Sequence, residues 1–159
     1  MGNLTRKEIN AATYIYGDLA EDHIRLHREG DARHRIEAAF RLLRETEDSP
    51  AETIKLGSEA DATLRALADQ YAESGDPNQA LEAYQDLRGK ILKSNPDAQN
   101  DLLNAAQLSR LDATLAGLLR RAGRSEEATA LEQNRLELWR QWDRKLPNNP
   151  CVQRQIARK

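Results

Sequence analysis

Two of the three histidines in this chain lie four residues apart, a spacing that places both imidazoles on one face of a helix. They are His23 and His27. Histidines at this spacing can share a metal ion, and in zinc proteases a glutamate follows the first of them. Here that residue is Ile24, and no fourth ligand is evident. We therefore predict core or surface histidines and no cofactor; the alternative is a His-centred metal site, which zinc titration would detect.

Catalytic patterns are otherwise missing from the sequence. Cys151 follows a turn signal and has no histidine close to it in the chain, which disfavours a cysteine nucleophile. The sequence contains no phosphate-binding glycine loop, no nucleophile elbow and no protein-kinase motif. We predict that the chain is not an enzyme.

Basic and aromatic side chains are the remaining residues that suggest binding. Six basic residues of the last two predicted hairpins could contact phosphates: Arg88, Lys90, Lys93, Arg120, Arg121 and Arg124. They are spread around their helices without stacking aromatics, so we predict no nucleic-acid binding. Trp139 and Trp142 are predicted to cover the last hairpin against a terminal helix; the alternative is an exposed anchor for a partner.

Composition indicates a single helical domain of 159 residues, rich in Ala and Leu and with only seven aromatic side chains. The net charge is −2, distributed as +1 over residues 1–44, −9 over 45–86 and +6 over 87–159. This pattern is typical of solvated helix surfaces, although it could also steer a charged partner. One cysteine and no long apolar run predict a cytoplasmic protein without a membrane span.

Proline and glycine divide the chain into helices. Four prolines follow residues that cap helix N-termini well, in the pairs Ser49-Pro50, Asp76-Pro77, Asn95-Pro96 and Asn149-Pro150. Glycines at 30, 75 and 123 stand where helices should end. The predicted helices cover 5–29, 32–45, 50–73, 77–94, 97–122, 125–145 and 150–158. They form hairpins over about 5–45, 50–94 and 97–145, followed by a short terminal helix.

The second and third hairpins share a pattern at an offset of 48 residues. Leu67, Ala68, Tyr71, Gly75 and Ala80 correspond to Leu115, Ala116, Leu119, Gly123 and Ala128. An internal repeat of this kind is typical of units that bury their faces against neighbours. An ordinary helical bundle with a repeat-like Ala-Leu pattern is the alternative.

The chain resembles the tetratricopeptide repeat family in Leu67-Ala68, Tyr71, Gly75, Ala80 and Tyr84, followed by a late proline at 96. The resemblance implies an all-α, right-handed superhelical stack of three antiparallel hairpins. The offset exceeds the family's usual period of about 34 residues, so the variant is an elongated one. Residues 136–150 also resemble the ends of bacterial proteins that carry such arrays, including serine/threonine kinases.

The resemblance implies a concave groove lined by the first helix of each hairpin. The implied groove residues are Tyr14, Asp18, Glu21, Arg25, Arg65, Asp69, Glu73, Arg110, Thr114, Arg120 and Arg121. The family's best-known groove holds the C-terminal carboxylate of a chaperone tail, and only Arg110 suits that role here. An extended peptide or a folded protein remains open as the partner.

The functional prediction is therefore a non-catalytic protein-interaction scaffold, for example the C-terminal module of a bacterial signalling protein. The alternative is self-assembly through the end hairpins, because four residues give the first helix an apolar stripe. They are Ile9, Ala12, Ile15 and Leu19.

Overall fold

The computed structural model describes residues 34–36, 38–39, 41 and 52–157, and every regular element in that part of the chain is an α-helix. The helices with described bounds are α1 (Glu59–Glu73), α2 (Pro77–Lys93), α3 (Leu102–Arg121), α4 (Ser125–Lys145) and α5 (Pro150–Ala157). The chain divides into two compact units, Met1–Asn95 and Pro96–Lys159. The predicted all-helical class is thus confirmed for the described residues, none of whose helices is long and apolar enough to cross a membrane.

Helix α1 ends at the hinge that connects it to α2, as the sequence predicts. Gly75 adopts the left-handed conformation with φ of 83°, which glycine accepts without a Cβ penalty. The Asp76 amide donates to the Tyr71 carbonyl at 3.0 Å, which satisfies one of the last carbonyls of the helix. The Asp76 carboxylate then caps α2 by accepting from the Gln79 amide, and Pro77 occupies the first turn.

The hinge between α3 and α4 repeats this geometry 48 residues later. Gly123 has φ of 77°, and the Arg124 amide donates to the Leu119 carbonyl at 2.8 Å. Both the end of the first helix and the start of the second are displaced by the same 48 positions. The predicted repeat therefore holds at the backbone of the hinges.

Equivalent positions in the two hairpins are also buried alike. Ala68 and Ala116 are fully buried, as are Ala80 and Ala128. Small side chains at these points allow the paired helices to approach each other closely. The predicted role of these alanines is consistent with their burial.

The prediction of a helix over 50–73 was wrong for residues 52–58, which are not helical. Helix α1 begins at Glu59, where Ser58 accepts from the Asp61 amide. The preceding segment is irregular: Ile54 is buried, and its amide donates to the Lys90 carbonyl of α2 at 3.1 Å. This tertiary bond holds the segment against α2, so a good capping pair further upstream does not decide where the helix starts.

The predicted start of the third hairpin was wrong for a similar reason. Asn95 is not an N-cap but adopts a left-handed φ of 52° just after α2. Helix α3 begins at Leu102, with the Asp101 carboxylate accepting from two amides of the first turn. The loop before it is held in place because Trp142 Nε1 donates to the Ala98 carbonyl at 2.9 Å.

The short terminal helix α5 closes the core of the second unit. Asn149 Oδ1 accepts from the Cys151 amide at 2.9 Å, as predicted for a capping residue before Pro150. Val152 is fully buried in one cluster with Trp139 and Trp142, which are 0% and 7% exposed. The packing prediction for the tryptophans is therefore confirmed, and the exposed-anchor alternative is wrong.

Little of the first predicted hairpin falls within the described residues. Residues 34–36, 38–39 and 41 are helical, in agreement with a helix over 32–45. Ile36 is buried against Ala66 of α1. His23, His27 and the predicted apolar stripe of the first helix lie outside the described part of the chain.

Candidate functional site

A groove of about 570 Å³ lies within the second unit, between α3, α4 and α5. It is lined by Ala106, Ser109, Arg110, Ala113, Thr114, Arg120, Glu132, Arg135 and Gln155. Three of the predicted groove residues, Arg110, Thr114 and Arg120, are thus brought together at one site. Arg121, which was also predicted, is exposed and does not line the groove.

The α3 side of the groove is a strip of residues at helical spacing. Ala106, Arg110, Ala113 and Arg120 follow one another at intervals that keep them on one face of the helix. Gly117 falls on the same face, and a Cβ built there would meet no heavy atom within 4 Å. Two small residues, Ala113 and Gly117, separate Arg110 from Arg120 along this strip. The helix surface between the two cationic groups is therefore a low floor.

Three arginines and one glutamate line the groove; Arg135 is buried, with 9% exposed, so Arg110 and Arg120 are the accessible cations. Arg120 donates to the Glu132 carboxylate across the hairpin, between α3 and α4. This hydrogen bond, together with the charge of Glu132, raises the pKa of the Arg120 guanidinium above its ordinary value. The two side chains are 49% and 30% exposed, so the pair is accessible from the groove. The lining carries a net positive charge.

The hydroxyl groups of the groove are held by hydrogen bonds within the unit. Ser109 Oγ accepts from Trp139 Nε1 at 2.7 Å, and Thr114 Oγ1 donates to the Arg110 carbonyl at 3.2 Å. Neither of these two hydrogen bonds involves a histidine or a carboxylate. The groove offers charged and hydrogen-bonding groups to a ligand.

The equivalent region of the first hairpin is filled by its own side chains. Tyr84 of α2 is 3% exposed and donates its hydroxyl to the Asp69 carboxylate of α1. On the same face, Arg65 Nε donates to Asp61 Oδ1 at 2.6 Å. Two of the three predicted groove residues of α1, Arg65 and Asp69, are therefore engaged within their own hairpin.

The 48-residue offset shows what replaces these side chains in the second hairpin. Tyr84 corresponds to Glu132 and Asp69 corresponds to Gly117. Arg65 corresponds to Ala113. A buried tyrosine and two long or polar groups are exchanged for a shorter carboxylate, a glycine and an alanine. The groove opens where the first hairpin is closed by these contacts.

Sequence reasoning missed the α4 and α5 sides of the groove. Glu132, Arg135 and Gln155 line it but were not predicted, because the family pattern assigns groove residues to the first helix of each hairpin. The offset did contain a signal, since it places a glutamate where the first hairpin has Tyr84. The third predicted groove residue of α1, Glu73, is exposed at the end of that helix.

Four predicted groove residues lie outside the described part of the chain: Tyr14, Asp18, Glu21 and Arg25. Within the described residues, no group of three or more His, Cys, Asp or Glu side chains is arranged to hold a metal ion.

Comparisons with known proteins found no match to this chain among protein-family models, curated proteins or solved structures.

Proposed function

We propose that the chain is a non-catalytic protein-interaction module and that the groove of its second unit binds an acidic peptide segment of a partner. The observation that carries the proposal is the groove itself, in which Arg110 and Arg120 of α3 stand beside an alanine- and glycine-containing strip. We also propose that the hairpins stack in the tetratricopeptide-like manner that the sequence predicts.

The dimensions of the strip favour an extended peptide. Ala106 to Arg120 spans about 21 Å of helix at 1.5 Å per residue. An extended chain covers about 3.3–3.6 Å per residue, so about six peptide residues would lie along the strip. A backbone can approach the low floor closely, while its side chains meet the arginines.

The charge of the lining favours an acidic occupant. Arginine offers several donors in a planar fork that matches a carboxylate. Nucleic acid fits less well, because no aromatic side chain lines the groove and Glu132 would oppose a phosphate backbone. Trp139 is fully buried and offers no ring for base stacking.

The proposal is tested with a fluorescein-labelled peptide that has a central run of glutamates, and with the same peptide carrying glutamines instead. Fluorescence anisotropy at two salt concentrations should show binding of the glutamate peptide that weakens as salt is raised. Arg110→Gln should weaken it about three- to tenfold, the loss expected for one charge-assisted hydrogen bond at a partly exposed site.

Arg121→Gln is the matched control. It removes the same charge from the same helix, next to Arg120 but outside the groove. An unchanged affinity in this variant would separate a local contact from the effect of net charge. Equal losses in both variants, or equal binding of the glutamate and glutamine peptides, would refute the proposed site.

A further inference from the structure

Resting on the proposed function, we infer that Glu132 is an internal competitor for Arg120 and sets the acidity that a peptide needs to enter the groove. The carboxylate of Glu132 already occupies a donor of Arg120 at the groove wall. A peptide carboxylate that binds Arg120 therefore replaces Glu132 or shares the guanidinium with it. An uncharged side chain can accept a hydrogen bond from Arg120 but brings no negative charge to replace that of Glu132.

The exposure of the pair makes the exchange feasible. Both side chains reach solvent, at 49% for Arg120 and 30% for Glu132. Exposed ion pairs contribute little to folding, because water and salt screen them and two long side chains must be ordered. The fold therefore does not depend on this contact, and an incoming carboxylate can take the place of Glu132.

The place of Glu132 in the repeat supports a role in binding. The equivalent Tyr84 is buried and locked onto Asp69 of the neighbouring helix. Glu132 has no such partner at the equivalent position, since that residue is Gly117. Glu132 instead accepts a hydrogen bond from Arg120 at the wall of the groove.

The second unit offers a matched ion pair away from the groove. Arg124 Nε donates to Glu127 Oε1 at 2.6 Å, and the side chains are 41% and 54% exposed. Neither residue lines the groove. Glu127→Gln therefore changes net charge and removes an arginine–glutamate contact as Glu132→Gln does, but at a distance from the bound peptide.

The experiment measures the affinity of the wild type, Glu132→Gln and Glu127→Gln for the labelled glutamate and glutamine peptides. Glu132→Gln should bind the glutamate peptide about two- to fivefold more tightly, which is the size expected when a weak exposed competitor is removed. Glu127→Gln should show a smaller change, and the glutamine peptide should not distinguish the proteins. Thermal melts establish that both variants are folded.

Three results would overturn the inference. Equal gains in the two variants would mean that net charge alone acts, and weaker binding by Glu132→Gln would mean that Glu132 contacts or orients the peptide. Unchanged binding would mean that the pair does not compete. If the wild type fails to prefer the glutamate peptide, the proposed groove itself is refuted. If the wild type does prefer this peptide but Glu132→Gln does not bind it more tightly, only the competition by Glu132 is refuted.

Discussion

The hairpins α1–α2 and α3–α4 share a hinge but differ in the side chains that fill the space beside it. The left-handed glycine, the closing hydrogen bond and the buried alanines recur 48 residues apart. Tyr84 and Asp69 close the first hairpin, whereas the equivalent residues of the second are Glu132, which lines a groove, and Gly117. The same backbone unit thus carries a packed surface in one hairpin and an open one in the other, depending on a few side chains.

The largest expected difference between the hairpins lies at the equivalent positions of Ile91 and Trp139, both fully buried. Trp139→Ala should lower the free energy of unfolding by about 3–5 kcal/mol, since it leaves a large cavity. It also removes the donor to Ser109 Oγ. Ile91→Ala should cost about 2–5 kcal/mol. Urea denaturation followed by circular dichroism measures both; a loss at Trp139 below that at Ile91 would contradict the described core.

The next effect concerns the hydrogen bond that closes the first hairpin. Tyr84→Phe should lower the free energy of unfolding by about 1–2 kcal/mol, because the partly buried Asp69 carboxylate loses a donor. Glu132→Gln, at the equivalent position, should change stability little because its ion pair is exposed. Similar losses in the two urea curves would show that the positions are not used differently.

A smaller effect is expected at two glycines inside helices, Gly89 of α2 and Gly117 of α3. A Cβ added at either position meets no heavy atom within 4 Å. Alanine in place of either should therefore raise the free energy of unfolding by about 0.5–1 kcal/mol through helix propensity. A loss of stability in Gly117→Ala alone, in the same denaturation assay, would mean that the strip is packed within the unit and does not form an open floor.

The smallest expected effect on stability concerns the first turn of the second helix in each hairpin, α2 and α4. Asp76 caps α2, whereas α4 lacks a side-chain cap and has the Arg124–Glu127 pair instead. The hydrogen bond from Arg124 holds the pKa of Glu127 below its ordinary value of 4.5. A lowered pKa means that the contribution is present above pH 4.5 and is lost as the pH falls through the folded-state value.

Melting temperatures of the wild type and Glu127→Gln across this range test that sign. The wild type should melt slightly higher near neutral pH, and the two curves should converge in acid. A difference that grows as the pH falls would contradict the pairing.

Local signals predicted the hinges well, because Gly75, Gly123 and Pro77 act through their own backbone geometry. The starts of α1 and α3 were not predictable in this way. Trp142, more than forty residues further along the chain, contacts the loop before α3, and the Ile54 amide is held by α2. Several good capping residues compete at each start, and contacts between distant segments decide among them.

The family resemblance implied a concave groove along the first helix of each hairpin, and three of the residues implied for it, Arg110, Thr114 and Arg120, line the groove within the second unit. It could not show that Glu132 pairs with Arg120, because that contact depends on how two helices face each other. Nor could it show that Arg65 and Asp69 are engaged inside their own hairpin.

We propose that the second hairpin binds acidic peptides because it lacks the contacts that close the first. The most direct test restores those contacts with the double substitution Gly117→Asp and Glu132→Tyr, and uses Gly117→Ala with Glu132→Gln as a control that leaves the space open. The restored protein should stay folded, with an unchanged or higher melting temperature, and should lose at least tenfold in affinity for the glutamate peptide, while the control keeps binding. A restored protein that binds the peptide as tightly as the wild type would contradict the account.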